Sequence, residues 1–230
     1  MKRYRLLLIP AAILILFIVF TVLVKTVDVQ YLPNNTYIGF YTMNHDVKNW
    51  VESFGSLDMM DKMSDVVLYL SFAFPLGYGI YFIIQLIKLK SFKLIDKRLY
   101  VLLGTYVAVV FFYFFFEIFK INYAPIESAN GSFKASYPSS HVFIAVTFIL
   151  CGTLASIDML SITKILLRAA TLVIMVFLVL MIGVLRLLSG QHWLSDIIAS
   201  YLLAGFLISL FSIIYIDNRP VKTDNWLFNY

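Results

Sequence analysis

The sequence lacks the composition of a soluble domain. Only 13% of its 230 residues are charged and 61% are hydrophobic, whereas about 25% of the residues of a soluble domain are charged. It has a single cysteine, Cys151, which lies within an apolar run, so an intrachain disulfide is excluded. It also lacks the internal repeats and paired broken helices that are typical of transporters. What remains is an apolar chain with sparse, localised charge.

Long apolar segments dominate the chain. A run of about 18 or more apolar residues is long enough to cross a membrane as a helix. These runs predict an all-α membrane protein, a six-transmembrane-helix bundle made by a single integral-membrane domain of residues 1–230. The predicted helices cover residues 6–24, 66–87, 99–119, 141–157, 163–188 and 192–216. Six crossings place both termini on the same side of the membrane.

The longest connection runs from residue 25 to residue 65. Within it, Val47, Trp50, Val51 and Phe54 recur at helical spacing, with polar residues between them. This pattern predicts an amphipathic helix that lies in the membrane interface, in the first outer loop.

The net charge of +5 comes from lysines and arginines that lie beside apolar segments, so they indicate topology and not nucleic-acid binding. One side of the predicted bundle carries Lys2, Arg3, Arg5, Lys88, Lys90, Lys93, Lys97, Arg98, Lys164, Arg168, Arg219 and Lys222. The other side carries Lys25, Lys48, Lys62, Lys120, Lys134 and Arg186. The richer side is predicted to be cytoplasmic, together with both termini. The residue usage, rich in Ile, Phe, Tyr, Lys and Asn, favours a bacterial plasma membrane.

Two histidines begin predicted helices on the outer side. His141 follows Tyr137–Ser140 at the start of the fourth helix, where free backbone N–H groups and the helix dipole attract anions. His192 begins the sixth helix, with Asp196 one turn further on the same face. A carboxylate there can fix the tautomer of the imidazole and leave its other nitrogen free to react.

Arg186 lies near the outer end of the fifth helix, six residues before His192. Charged residues inside membrane segments are costly and usually functional. Because neighbouring helices alternate in direction, the start of helix four, the end of helix five and the start of helix six meet at one face. We therefore predict that His141, Arg186, His192 and Asp196 form one site.

These residues resemble two signatures of the type 2 phosphatidic acid phosphatase superfamily. The sequence Tyr-Pro-Ser-Ser-His at 137–141 is similar to the second signature, with Ser140 where glycine is usual. Arg186, His192 and Asp196 have the spacing of the third signature. The resemblance implies a metal-independent lipid phosphatase without a cofactor. In it, His192 attacks phosphorus and forms a phosphohistidine, Asp196 orients His192, and His141 protonates the leaving oxygen. It assigns phosphate binding to Arg186, Ser139 and Ser140.

The first signature of that family, Lys-x6-Arg-Pro, is degenerate here. With Pro125 as anchor, Glu117 replaces the lysine and Ala124 replaces the arginine. Loss of even one preorganised donor can cost on the order of 3 kcal/mol of transition-state stabilisation. Lys120 lies one turn from Glu117 and is included among the phosphate-binding candidates because it would partly restore the positive charge.

Three functions are compatible with these features. The favoured one is hydrolysis of a lipid phosphate or diphosphate at the outer membrane face, with the bilayer as the source of the substrate. A lipid phosphotransferase would use the same phosphohistidine and pass the group to an acceptor alcohol. A catalytically weak or inactive relative would bind a phospholipid or a membrane partner, and Glu117 and Ala124 favour that alternative.

Overall fold

A computed structural model of the protein describes residues 2–32, 36–54, 57–127 and 133–218. Its helices are α1 (Lys2–Thr26), α2 (Tyr41–Glu52), α3 (Leu57–Ser71), α4 (Ala73–Leu89), α5 (Lys97–Ile118), α6 (Ser140–Met159), α7 (Ile165–Leu188) and α8 (Leu194–Asp217). A short 3-10 helix, Phe92–Leu94, precedes α5. Within the described residues, six helical segments are long and apolar enough to cross a membrane, which confirms the predicted six-helix bundle.

The second span differs from its prediction. Helices α3 and α4 are separated only at Phe72 and together form one long segment, Asp58–Leu89. The prediction of a helix starting at residue 66 was therefore too short at its N-terminal end. The acidic residues of α3 indicated a loop, but two of them, Asp61 and Asp65, find partners on α7 and α6. These contacts reduce the cost of placing carboxylates in the bundle.

The connection between the first two spans contains the predicted amphipathic helix, α2. Its buried residues are Asn44 and Val51, which are two turns apart. Trp50 and Phe54 are exposed instead, and their rings pack edge to face, with centroids 4.8 Å apart. Aromatic side chains with this exposure are typical of the membrane–water interface.

Two short antiparallel hairpins, which the sequence analysis did not predict, lie at the same end of the bundle as α2. Strands β1 (Gln30–Leu32) and β2 (Thr36–Ile38) form the first, with Gln30 opposite Ile38. Strands β3 (Tyr123–Glu127) and β4 (Phe133–Ala135) form the second, with Tyr123 opposite Ala135. The second hairpin leads directly into the segment before α6.

Helix α6 is at the centre of the bundle and packs against α3, α4, α5, α7 and α8. Small buried residues allow this, because they let helix backbones approach closely in a membrane. At Gly152, for example, a Cβ atom would lie 2.2 Å from the ring of Phe74 on α4. Helix α1 packs along α8. The exposed apolar side chains of α1, α4 and α7 are suited to contact lipid.

Candidate active site

His192 lies in the turn between α7 and α8. Gly190 makes this turn with a φ of 67°, in the left-handed region that favours glycine. The side chain of His192 is only 11% exposed, and its Nδ1 lies 3.0 Å from the carbonyl oxygen of Ser136. Since a carbonyl oxygen can only accept, Nδ1 donates and Nε2 keeps its lone pair. This is the tautomer that a nucleophilic imidazole needs.

Asp196 is fully buried in the first turn of α8. Its carboxylate accepts hydrogen bonds from the side-chain amide of Asn122 at 3.2 Å and from the backbone N–H of Trp193 at 3.1 Å. The distance from Oδ2 to Nδ1 of His192 is 3.6 Å, longer than a hydrogen bond. The closer acceptor for His192 is therefore the Ser136 carbonyl, while Asp196 places a negative charge beside the imidazole. Its predicted role in orienting His192 stays a prediction.

His141 lies in the first turn of α6 and contacts α3. Its Nε2 lies 2.9 Å from the carboxylate of Asp65. Arg186 and His192 are both near enough to interact electrostatically with the His141 ring. The structure thus brings together the two histidines and the arginine that the sequence predicted to converge, and it adds a carboxylate to them.

Arg186 lies in the last turn of α7 and is 6% exposed. Its Nη1 donates to the carboxylate of Asp61 and, at 3.2 Å, to the hydroxyl of Ser64. Its Nε is buried and has no hydrogen-bond partner among the described residues. The guanidinium is therefore anchored at one nitrogen and keeps an unused donor at another.

Sequence analysis missed Asp61 and Asp65 because it assigned them to the connection before the second span. A signal for them is present: they lie one helical turn apart, directly before an apolar run, so they share a face of a helix that extends the run. Charged groups at such positions pair with opposite charges across the bundle. What the sequence does not indicate is which cations they meet.

The segment before α6 is buried and tightly connected to α8. It includes a cis peptide bond between Tyr137 and Pro138. The backbone N–H of Ser139 donates to the carbonyl oxygen of Asp196 at 3.3 Å, and the Ser200 hydroxyl donates to the Ser139 carbonyl at 3.0 Å. These bonds fix the start of α6 against the start of α8, so the second and third signatures form one unit.

Tyr137 ties the same segment to α1. Its hydroxyl is 2.7 Å from the hydroxyl of Thr21, and its ring stacks on Phe17 with centroids 6.4 Å apart. Burial raises the pKa of the Tyr137 hydroxyl, so the group stays neutral across the physiological range. Its position in the core supports a structural role for Tyr137.

Three buried polar atoms of the segments that carry the site have no hydrogen-bond partner among the described residues. They are the hydroxyl oxygens of Ser136 and Ser139 and the Nε of Arg186. Unpaired buried polar groups are uncommon and costly, and each calls for a physical explanation. Ser139 and Arg186 belong to the two signatures, and Ser136 precedes the first of these. An anion with several oxygens would satisfy such donors, whereas an apolar ligand would not. Ser140, the other predicted phosphate-binding serine, is half-buried and begins α6.

Two buried asparagines, which the sequence analysis also missed, support the site from the side of the hairpins. Asn44 on α2 donates to the Gly39 carbonyl at 2.8 Å and to the Ser195 hydroxyl at 2.9 Å, and it accepts from the Ser195 N–H at 3.1 Å. Asn122 accepts from the Gly39 N–H at 3.1 Å and donates to Asp196. They connect α2, the segment before β3 and the start of α8.

The structure does not bring Lys120 to the other predicted site residues. Its side chain is exposed, and its Nζ lies 5.9 Å from the centroid of the Tyr123 ring. Glu117 is exposed at the end of α5, and no ion pair joins it to Lys120 in the described part of the chain. Glu117 and Lys120 are therefore exposed, whereas the later part of the degenerate first signature contacts the start of α8, where the Trp193 indole donates to the Tyr123 carbonyl at 2.7 Å.

Residues 115–220 match the PAP2 superfamily, which confirms the resemblance drawn from the signatures. The fold is similar to the crystal structure of the first transmembrane PAP2 type phosphatidylglycerolphosphate phosphatase from Bacillus subtilis, with a TM-score of 0.64. The match covers 89% of this chain and 94% of that chain at 13% sequence identity, a level at which it establishes the fold alone. No curated protein matches the sequence at a significant level. Helices α1 to α4 lie outside the family match.

Proposed function

Because residues 115–220 match the PAP2 superfamily, we propose that the protein hydrolyses a lipid phosphate or diphosphate at the outer face of the membrane. The observation that carries the proposal is the set of buried donors without partners among the described residues, Ser136, Ser139 and Arg186, together with the Nδ1 bond of His192, which leaves the Nε2 lone pair for attack. A phosphoryl group offers enough acceptor oxygens for these donors while its phosphorus faces the nitrogen lone pair.

In the first half of the proposed reaction, His192 is the nucleophile. Its Nε2 lone pair attacks phosphorus, and the bond between phosphorus and the lipid oxygen breaks. The leaving oxygen takes a proton from His141. Asp65 accepts at Nε2 of His141, so Nδ1 is the nitrogen that gives its proton to the leaving group. The products of this half are a phosphohistidine and the lipid alcohol, or the lipid monophosphate when the substrate is a diphosphate.

In the second half, water attacks the phosphohistidine. His141, now neutral, takes a proton from that water, and the bond between phosphorus and Nε2 of His192 breaks. The electron pair returns to His192, inorganic phosphate leaves, and His141 is protonated again. Arg186 and the serine hydroxyls stabilise the charge on the phosphoryl oxygens throughout.

The test is phosphate release from purified protein in detergent, in the presence of a chelator. Phosphatidate, phosphatidylglycerophosphate and a polyprenyl diphosphate are offered as substrates. We expect turnover of at least one of them, and loss of that turnover in His192→Ala. His45→Ala is the matched control, because His45 lies on α2 and, among the described residues, its side chain forms a hydrogen bond to Asn49 alone. Equal turnover in the two variants would exclude His192 as the nucleophile.

A second candidate, a phosphate-binding relative without turnover, is favoured by one observation. Asp61 forms an ion pair with Arg186, which is assigned to phosphate binding, and Asp65 pairs with His141, which is assigned to protonation of the leaving oxygen. In that case the wild-type protein should bind inorganic phosphate or vanadate, and no substrate of the panel should release phosphate.

A further inference from the structure

The proposed site has little positive charge for a site that binds phosphate. Glu117 and Lys120 are exposed at the end of α5, and Ala124 is uncharged. Arg186 is paired with Asp61, which neutralises its charge. Of the described residues that the sequence assigns to phosphate binding, Arg186 is thus the one cation at the site. A bound phosphate dianion would be better compensated by a second cation.

Helix α2 places Lys48 at the position where that cation is missing. The Nζ of Lys48 lies 3.3 Å from the carbonyl oxygen of Pro125, the proline that anchors the degenerate first signature. It also lies 5.7 Å from the centroid of the Trp193 ring, directly after His192 in the chain. The ammonium is therefore beside residue 124, which aligns with the arginine of the first signature when Pro125 is the anchor.

Lys48 and His192 also border the same small cavity. The rest of its wall is formed by Asn44, Val47, Leu187, Gly190, Trp193 and Leu194. Asn44 is one helical turn before Lys48, and its hydrogen bonds to Ser195 fix this face of α2 against the start of α8. The position of Lys48 beside this cavity is thus set by the fold.

The present partners of Lys48 are weak. Glu52 is 3.6 Å away, and the two side chains are 25% and 47% exposed, so water screens the pair. The contact with the Pro125 carbonyl is a single bond to a neutral acceptor. A lysine ammonium on its flexible stem can exchange such partners for a phosphoryl oxygen.

We propose that Lys48 is a phosphate-binding residue, which supplies from α2 the positive charge that residues 117–125 lack. The proposal rests on the proposed function, because it places the ammonium beside the phosphoryl group that His192 would attack. Its ligand is the phosphoryl group itself. The hydrolysis of lipid phosphates and the hydrolysis of water-soluble phosphate esters should therefore depend on Lys48 to the same degree.

The first arm of the test measures turnover. Lys48→Ala should lower kcat/KM about tenfold or more on both a lipid phosphate and p-nitrophenyl phosphate, as expected when one charge-assisted contact is lost. Lys48→Arg should keep most of the activity. Lys62→Ala is the matched control, since Lys62 is an exposed lysine of α3 that pairs with Asp58 on the same helix. Adding Ala124→Arg to Lys48→Ala should restore activity, because it returns a cation to the same place.

The second arm measures binding without turnover. Orthovanadate is titrated against the full-length protein, and its effect on the melting temperature in detergent gives an apparent affinity. We expect Lys48→Ala to weaken vanadate binding about tenfold. Glu52→Gln should tighten binding, because it removes the carboxylate that competes for the ammonium.

The two arms separate failure of the inference from failure of the proposed function. Turnover by the wild type that is equal in Lys48→Ala and Lys62→Ala would overturn the inference alone. A loss in Lys48→Ala with a lower melting temperature, which neither arginine variant repairs, would also overturn it in favour of a structural tie to Pro125. Vanadate binding that requires Lys48 but accompanies no turnover would support the inference and reject hydrolysis. If the wild type neither binds vanadate nor turns over, both are rejected.

Discussion

His141 has its Nε2 against a carboxylate and its ring near two basic groups, Arg186 and His192. A general acid matters most when the leaving group is a poor one. His141→Ala should therefore reduce hydrolysis of a lipid alkyl phosphate by about 100-fold or more, within the range for loss of acid catalysis, and that of p-nitrophenyl phosphate much less. Steady-state rates of the variant and the wild type on the two substrates measure this difference. Equal losses would exclude the general-acid role.

Asp65 is the carboxylate in contact with His141, and in the proposed mechanism it stabilises the protonated ring. Asp65→Asn keeps the shape of the side chain and removes its charge, so it should show the same substrate split as His141→Ala, with a smaller loss of about tenfold on the alkyl phosphate. Asp58→Asn is the matched control, since Asp58 is 95% exposed on the same helix. A loss that is equal on both substrates would indicate that Asp65 only positions α3.

At the scale of elements, α2 is fixed to the start of α8 by Asn44. The side chain is 1% exposed and makes three hydrogen bonds. Asn44→Ala leaves the Ser195 N–H and the Gly39 carbonyl without this partner, which should cost about 2–3 kcal/mol. A melting curve in detergent should show the shift. Asn49→Ala, on the exposed side of α2, should leave the melting temperature unchanged.

The same variant separates stability from function. If Lys48 binds phosphate from α2, loosening this helix should also raise KM, because the ammonium is no longer directed at the cavity. An Asn44→Ala protein that melts lower but keeps its KM would show that α2 is only a structural cover.

At the scale of the whole molecule, the distribution of charge predicts the orientation. Lys88, Lys90, Lys93 and Lys97 lie at the end of the bundle opposite the site. Because lysine and arginine are enriched in cytoplasmic loops, the site should face outward. Cys151 is fully buried, so it should give little background in cysteine labelling. In intact cells, a membrane-impermeant maleimide should label Glu127→Cys, and Lys93→Cys only after the cells are opened. The reverse pattern would place the site on the cytoplasmic side.

The bounds of most membrane-spanning helices can be predicted from local sequence. The predicted spans at 99–119, 141–157 and 192–216 differ from α5, α6 and α8 by only one or two residues at each end. The exception, the start of the second span, was missed because its carboxylates look unfavourable in a membrane until their partners are known. The polarity of a carboxylate can be read from the sequence, whereas the cation that pairs with it across the bundle cannot. The single domain of residues 1–230 stays a prediction.

The sequence by itself determined the six spans and the grouping of His141, Arg186, His192 and Asp196 near one end. The reason is that long apolar runs must cross the bilayer, and alternation of direction then brings the three helix ends to one face. These conclusions need only distances along the chain and the geometry of a helix.

Only the tertiary structure decided which groups those residues meet. Asp61 is 125 residues from Arg186, Asp65 is 76 residues from His141, and Asn44 is 151 residues from Ser195. It also showed that the Ser136 carbonyl is nearer than Asp196 to Nδ1 of His192, and that Lys48 instead of Lys120 lies beside the cavity. Such partners depend on how helices rotate and pack against one another, which the periodicity of a single segment does not determine.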